Sequence, residues 1–272
     1  MKRFALIALI ALVAPVAPVA LVAPVAPAFA DITIKSTVAG KGMGAGGTTT
    51  ATTFIKGTKM RTDTVTGDTT RSQIIDMDAM KMYSFDSKSK EADVYDMAKL
   101  AADIGKNVQV GSIKASLKPN GKAKTVSGQS ANGFDMEVSV PAQMGGAQGM
   151  KVTVSLLGPV WVVKGGPGAA EYLAFYKNAV EKGWFFSDPR IAQSQPGTAK
   201  AMGEMYRQLA ATGGIPYEME MNVKMAGEGP MAAVFEKMGN ISMTTTVSSV
   251  ETATVAAGLF AVPAGYKIKE QK

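Results

Sequence analysis

The chain has 272 residues, a formal net charge of +7 at neutral pH, and neither cysteine nor histidine. These two absences exclude disulfide bonds, cysteine or histidine zinc sites, and Ser–His–Asp or Cys–His catalysis. The basic residues are scattered instead of clustered with aromatic residues, so the composition does not indicate a nucleic-acid partner. We therefore expect a non-enzymatic protein without a bound cofactor, whose fold depends on its hydrophobic core.

Residues 1–30 have the features of a cleavable export signal. A short basic region precedes an apolar run with four prolines, and the run ends in AFA, the small-x-small pattern that a signal peptidase accepts. An uncleaved membrane anchor is the alternative, but the prolines disfavour a membrane-spanning helix because each removes a backbone donor. We predict an extracytoplasmic protein that begins at Asp31, does not span the membrane after cleavage, and folds as a single domain over residues 31–272.

The first part of this domain has the pattern of a strand meander. Short β-branched or alternating segments are separated by turn signals at intervals typical of an all-β sheet. The glycine-rich residues 40–47 connect two of these segments, and we interpret them as a hairpin turn because a strand, not a helix, follows them. The predicted strands are Asp31–Ala39, Thr48–Ile55, Lys59–Val65, Thr70–Asp76, Met80–Phe85 and Glu91–Tyr95.

The rest of the chain combines helices with further strands. Asp96 is a suitable cap for a short helix to Lys106, and the apolar spacing predicts helices from Ala169 and over Thr198–Ala211. The further predicted strands are Val108–Leu117, Lys122–Gln129, Phe134–Val140, Met150–Leu157, Val160–Lys164, Ile215–Met225 and Ile241–Thr254. Because strands and helices are segregated along the chain, the pattern favours an α+β fold over a parallel nucleotide-binding sheet.

The segment IPYEMEMNVKM is the most informative predicted strand. Its apolar residues alternate with polar ones over nine positions, which is typical of a strand with one buried and one solvated face. Methionine is flexible and polarizable, so a methionine-lined face can accommodate a ligand of irregular shape. Methionine recurs in DMDAMKMYSF, at Met77, Met80 and Met82. The candidate ligand-binding residues are Tyr217, Met219, Met221, Val223, Met225, Met80 and Met82.

Four segments together resemble a known family. They are IKGTKMRTDT from Ile55, SQIIDMDAMKMYSFDSKSK from Ser72, VWVVKGGPGAAEYLAFY from Val160 and LFAVPAGY from Leu259. They resemble the DUF4412 family of bacterial periplasmic proteins, which is similar to the LolA/LolB lipoprotein-carrier fold. The resemblance implies a periplasmic location and a single curved antiparallel sheet, an incomplete barrel covered by two or three helices around an apolar cavity. It implies no functional residue, because that family has no assigned activity.

These observations lead to three functional hypotheses. The first is a non-catalytic periplasmic binding protein for a lipid, an acyl chain or another apolar ligand. The second is a cell-envelope protein-interaction module whose methionines fill its core, with an envelope protein as partner. The third is copper binding by thioethers, because the side chains of Met80 and Met82, and those of Met219, Met221 and Met225, are spaced to lie on one strand face.

Two acidic pairs and one aromatic cluster are further candidates for functional groups. Asp76 with Asp78, and Glu218 with Glu220, are expected on the polar faces of strands, away from the cavity, so we assign them no catalytic role. The cluster WFF at residues 184–186 is expected to anchor the end of a helix in the core, or else to lie at the rim of the cavity.

Overall fold

The computed structural model describes residues 30–41, 47–107, 113–144, 150–184, 189–194, 196–227 and 241–271. The predicted export signal, apart from its last residue, lies outside the described residues, as do Phe185 and Phe186 of the aromatic cluster.

The described residues form one sheet of twelve strands. The strands are β1 (Ile32–Lys41), β2 (Gly47–Lys56), β3 (Lys59–Thr66), β4 (Thr69–Asp76), β5 (Lys81–Asp86), β6 (Glu91–Asp96), β7 (Lys114–Val126), β8 (Gln129–Met144), β9 (Met150–Lys164), β10 (Gly214–Gly227), β11 (Ile241–Thr252) and β12 (Lys267–Glu270). Their order across the sheet is β12-β6-β5-β4-β3-β2-β1-β11-β10-β9-β8-β7. Neighbouring strands are antiparallel except β12 and β6, which are parallel.

Strand β1 lies between the two halves of the sheet. On one side it pairs with β2, the start of a meander that continues to β6, and on the other it pairs with β11. The turns of the meander are tight, and Gly57 and Gly67 occupy two-residue loops with φ of 56° and 57°. This left-handed conformation suits glycine and produces the twist that a two-residue hairpin requires. Short-range turns therefore order one half of the sheet, whereas the β1–β11 pairing joins it to the other.

The helices lie on one face of the sheet. They are α1 (Met97–Asn107), α2 (Ala169–Glu181), α3 (Pro189–Ser194) and α4 (Pro196–Ala211). Helix α2 packs against β2 and β10, and α4 packs against β7, β8 and β10. The predicted cap of α1 is confirmed, because the backbone N–H of Lys99 donates a 3.0 Å hydrogen bond to Asp96 Oδ1.

The predicted fold class is wrong. We expected an α+β fold in which two or three helices cover an incomplete LolA/LolB-like barrel, whereas the structure is mostly β, with a large sheet that is not closed and with short helices. Geometry explains why the helices cannot cover it. The 16 residues of β8 extend about 50 Å, whereas the 16 residues of α4 extend about 24 Å. The helix layer therefore covers only part of the sheet.

Several strands are longer than predicted because proline and glycine do not end them. β8 continues through Pro141, which pairs with Thr153, and β9 continues through Gly158 and Pro159. The glycine is required there, since a Cβ on Gly158 would lie 2.0 Å from the backbone oxygen of Glu220 in β10. Glycine thus marks a close approach of two strands instead of a turn.

The two strands predicted around Pro119 are also one strand. β7 runs from Lys114 to Val126, with a register shift between Pro119 and Ala123 where it pairs with β8. This strand is at the edge of the sheet, and edge strands tolerate proline because one side of the backbone needs no partner.

The opposite face of the sheet carries a small core of its own. The segment after β11 contains a 3-10 turn, Ala257–Phe260, and packs against β4, β5 and β6. Arg61 reinforces this contact: its Nη1 donates a 2.9 Å hydrogen bond to the carbonyl of Leu259, and its guanidinium lies 5.7 Å from the ring centre of Phe85. The core residues are Ile74, Phe85, Ala92, Val255 and Phe260.

Candidate binding cavity

A cavity of about 380 Å³ lies between the sheet and the helices. Its floor is formed by side chains of β1 to β5, β10 and β11, and its roof by side chains of α2 and α4. It therefore crosses the sheet from strand to strand instead of following any one strand.

A row of apolar side chains forms the deep end of the floor. Strand register places the side chains of this row next to one another across β1 to β6, and each is at most 7% exposed. We call these six residues the apolar row: Ile32, Ile55, Met60, Ile75, Met82 and Tyr95. Of these, Met60, Ile75 and Met82 line the cavity.

Two residues further along β2, β3 and β4 the floor becomes polar, whereas on β1 the residue in register with Thr53 is the apolar Ile34. Thr53, Thr62 and Gln73 are in register across β2, β3 and β4, and we call these three residues the polar row. The hydroxyl oxygens of the two threonines are 3.1 Å apart, and Gln73 Nε2 donates to the sulfur of Met82 at 3.2 Å. Because each strand residue rises about 3.3 Å, the polar row lies about 7 Å from the apolar row.

Two residues further still along β1, β2 and β3, the side chains of the floor lie closer to solvent. Ser36, Ala51 and Thr64 are in register across β1, β2 and β3, line the cavity, and are half-buried. The lining thus changes from buried and apolar at the Met60 end to half-buried and hydroxyl-bearing at the Thr64 end.

Three tyrosines form most of the roof. Tyr172 and Tyr176 are one helical turn apart on α2, and the ring of Tyr176 stacks on Tyr206 of α4 with centres 5.3 Å apart. The hydroxyl of Tyr176 also points to the sulfur of Met60 at 3.9 Å. Burial raises the pKa of Tyr172 and of Tyr176 well above the usual tyrosine value, so both phenols are neutral hydrogen-bonding groups at neutral pH.

No aspartate, glutamate, lysine or arginine is among the described residues that line the cavity. On the same face, the residue of β4 in register with Thr64 is Arg71, which is exposed. Arg71 is in turn in register with Asp86 of β5. The cavity therefore offers apolar surface, hydroxyl groups and one amide, but no formal charge.

The structure brings two of the seven predicted site residues to this cavity, Met82 and Met219. Tyr217 is buried in the main core, at the register shift of β10 between Pro216 and Glu218, and is not part of the lining. The cavity crosses β10 near its beginning, at Ile215, Pro216 and Met219, instead of following the strand along its length.

The other predicted site residues lie elsewhere. Met221 packs against the core beneath α4, whereas Val223 and Met225 are half-buried further along β10. Met80 precedes β5 in a turn with φ of 49°, so it does not share a strand face with Met82 as the copper hypothesis requires.

The residues that the sequence reasoning missed are the threonines and tyrosines. Thr53 lies in TTTATTF, a β-branched segment that predicts a strand, and the register of Thr53 with Thr62 could have suggested a polar row. The helical spacing that begins at Ala169 predicts a buried face that includes Tyr172 and Tyr176, and this face also forms the roof of the cavity.

Three of the four residues of the acidic pairs form ion pairs, and none of the four lines the cavity. Asp76 Oδ2 lies 2.6 Å from Lys59 Nζ, and Glu218 Oε1 lies 2.6 Å from Lys124 Nζ. Burial acts to raise the pKa of Asp76, but the Lys59 ammonium and the N–H groups of the following turn outweigh it and hold the pKa below its usual value. These carboxylates stabilise strands and turns.

Trp184 of the aromatic cluster is 3% exposed and belongs to the main core. Its backbone N–H donates a 2.8 Å hydrogen bond to the carbonyl of Ala179, just beyond the end of α2. This position is the one expected for the anchor of a helix end.

Comparisons with known proteins do not define a family. No family model and no curated protein matches the chain. Among solved structures, that of PNGF-II in a C2 space group matches with a TM-score of 0.35 and 11% identity, over 89% of this chain and 31% of that chain. The chain thus spans about a third of that structure, and a likeness at this level carries no argument about fold or function.

The resemblance to DUF4412 stays a prediction. Within the described residues, no helix has the length and apolar character needed to cross a membrane.

Proposed function

We propose that this protein is an exported, non-catalytic binding protein that holds a lipid, an acyl chain or another small, largely apolar molecule. The observation that carries the proposal is the 380 Å³ cavity between the apolar row and the tyrosine roof. Small-molecule sites in proteins have volumes of about 300 to 1,000 Å³ and walls that are mostly apolar with a few polar groups. The cavity meets both criteria.

The apolar wall provides the driving force for binding. Met60, Ile75, Met82 and Met219 present flexible or branched side chains to the cavity. A ligand that removes about 200 Å² of apolar surface from water gains roughly 5 kcal/mol, before the cost of its lost freedom is subtracted. Because this force is non-directional, it favours apolar shape over a single chemical structure.

Export to the periplasm is part of the proposal, and it depends on the sequence of residues 1–30. The basic start, the apolar run and the AFA site are the features of a cleaved signal. A binding protein in that compartment would take up molecules that are too apolar to diffuse freely through an aqueous space.

The alternative interaction module with a filled core has less support. A core filled by its own methionines would leave no space of this size, and Met219 and Met82 border that space instead of filling it.

The proposal is tested with a neutral apolar fluorophore, N-phenyl-1-naphthylamine, titrated into residues 31–272. Thr62→Phe places a ring in the cavity, whereas Val65→Phe adds the same ring to the same strand on an exposed position. We expect saturable enhancement for the wild type and Val65→Phe, and at least a tenfold weaker response for a folded Thr62→Phe. Equal responses from both variants, or no enhancement with the wild type, would contradict the proposed cavity.

A further inference from the structure

We propose that the bound molecule is an uncharged amphiphile, whose apolar end contacts the apolar row and whose hydroxyl or carbonyl group meets Thr53, Thr62 and Gln73. This inference rests on the proposed function and specifies the chemistry of its ligand.

The orientation follows from the order of the rows. Side chains of the apolar row are buried, those of the polar row are half-buried, and the row containing Ser36 and Thr64 is also half-buried. A molecule that enters from the Thr64 end therefore leads with its apolar part, and its polar group comes to rest about 7 Å or more from the apolar row.

Neutrality follows from the lining. A carboxylate or phosphate that is removed from water without a counter-charge has a large unfavourable desolvation energy. The described lining contains no cationic side chain to offset it, and the tyrosine phenols of the roof carry no positive charge in either protonation state. Arg71 is the cation nearest in register on this face, but it is exposed and faces Asp86 across β4 and β5.

The polar row can recognise both hydroxyl and carbonyl groups. A threonine hydroxyl has one donor and two acceptor sites, so the mutual bond of Thr53 and Thr62 leaves acceptor capacity for a ligand. Gln73 has two N–H donors and one carbonyl, of which one donor is directed to Met82. An alcohol or an ester therefore finds a partner here, whereas an alkane leaves the row unused.

The test compares four probes that share a linear eight-carbon chain, by displacement of N-phenyl-1-naphthylamine at neutral pH: 1-octanol, methyl octanoate, octanoate and octane. We expect octanol and methyl octanoate to bind at least tenfold more tightly than octanoate, and more tightly than octane. Octanoate bound as tightly as octanol would overturn the inference because the site would then accept a charge, and loss of that binding in Arg71→Gln would identify Arg71 as the partner of the carboxylate.

A matched pair of variants tests the polar row itself. Thr53→Val with Thr62→Val removes both hydroxyls at nearly constant shape, whereas Thr52→Val makes the same change on the opposite face of β2. We expect the double variant to weaken octanol binding about threefold to tenfold, the value of one hydrogen bond, without weakening octane binding. Equal loss for octanol and octane, or equal effects of Thr52→Val, would overturn the role of the row.

The outcomes separate the two proposals. If octane binds as tightly as octanol, or if octanoate does, the cavity is a binding site and only the inference about the ligand is wrong. If none of the four probes displaces the fluorophore and the fluorophore itself does not bind, both the inference and the proposed function are wrong.

Discussion

Thr53 and Thr62 face each other across β2 and β3 with their hydroxyl oxygens 3.1 Å apart, on the floor of a cavity roofed by tyrosines. Strand register places Ile55 and Met60, both buried, immediately beside them. This pair therefore marks the boundary between the apolar and the polar part of the cavity.

Removing one hydroxyl of this pair is expected to destabilise the protein. Thr62→Val leaves the hydroxyl of Thr53 without its partner, which should lower the free energy of unfolding by about 1 kcal/mol. Urea unfolding followed by circular dichroism measures the change, and a double-mutant cycle with Thr53→Val isolates the coupling between the two residues. A coupling of zero would show that the two hydroxyls do not interact.

The buried tyrosines predict a loss of stability at alkaline pH. The pKa of Tyr176 is raised in the folded state, so above the unfolded tyrosine pKa of about 10 the unfolded state releases a proton that the folded state keeps. Stability therefore falls as pH rises, by about 1.4 kcal/mol per pH unit for each such proton. Urea unfolding at several pH values from 9 to 11.5 should show a shallower fall in Tyr176→Phe than in the wild type. The same slope in both proteins would contradict burial of this phenol.

The close approach of β9 and β10 predicts that Gly158 tolerates no side chain. In Gly158→Ala the new Cβ would lie 2.0 Å from the carbonyl oxygen of Glu220, so the two strands must separate. We expect a loss of about 2 kcal/mol or more in urea unfolding. The matched control is Gly166→Ala, where the nearest atom would be 3.4 Å away, and its stability should change little. Equal stability of the two variants would contradict the pairing of β9 with β10.

The proposed export signal predicts a defined first residue of the mature protein. N-terminal sequencing of the protein secreted by a bacterial host should begin at Asp31, after the AFA site. Ala30→Leu removes the small residue at the cleavage position and should leave the precursor uncut, whereas Ala26→Leu should be processed normally. Normal processing of Ala30→Leu, or a mature start elsewhere, would contradict the assignment.

The local elements were largely predictable from the sequence. The strands from Ile32 to Asp96 and the helices α2 and α4 are found within about two residues of the expected bounds, because alternation, helical spacing and glycine turns act over short distances. Pro141 and Gly158 misled the prediction because each can stop a strand or sit inside one. Only the neighbouring strands decide between these outcomes.

The sheet order and the cavity could not be predicted in this way. The pairing of Ile32 with Thr252 joins residues at opposite ends of the described chain, and no local pattern encodes it. The cavity depends on register across strands, which brings Thr53 beside Thr62. Register also places Met219 in the lining of the cavity, whereas Tyr217 of the same strand does not line it. The alternation along β10 predicts a binding site formed by methionines of one strand, whereas the cavity is lined by residues of seven strands.

The presence of a bound molecule in the protein from its native host is the central claim, and native mass spectrometry tests it most directly. We expect a mature protein that carries the additional mass of a small neutral amphiphile, which is released on denaturation and identified in the organic extract. The same species should be missing from folded Thr62→Phe and present in Val65→Phe. A wild-type protein of bare polypeptide mass that also fails to take up added 1-octanol would contradict the account, and an added mass of copper would favour the thioether hypothesis instead.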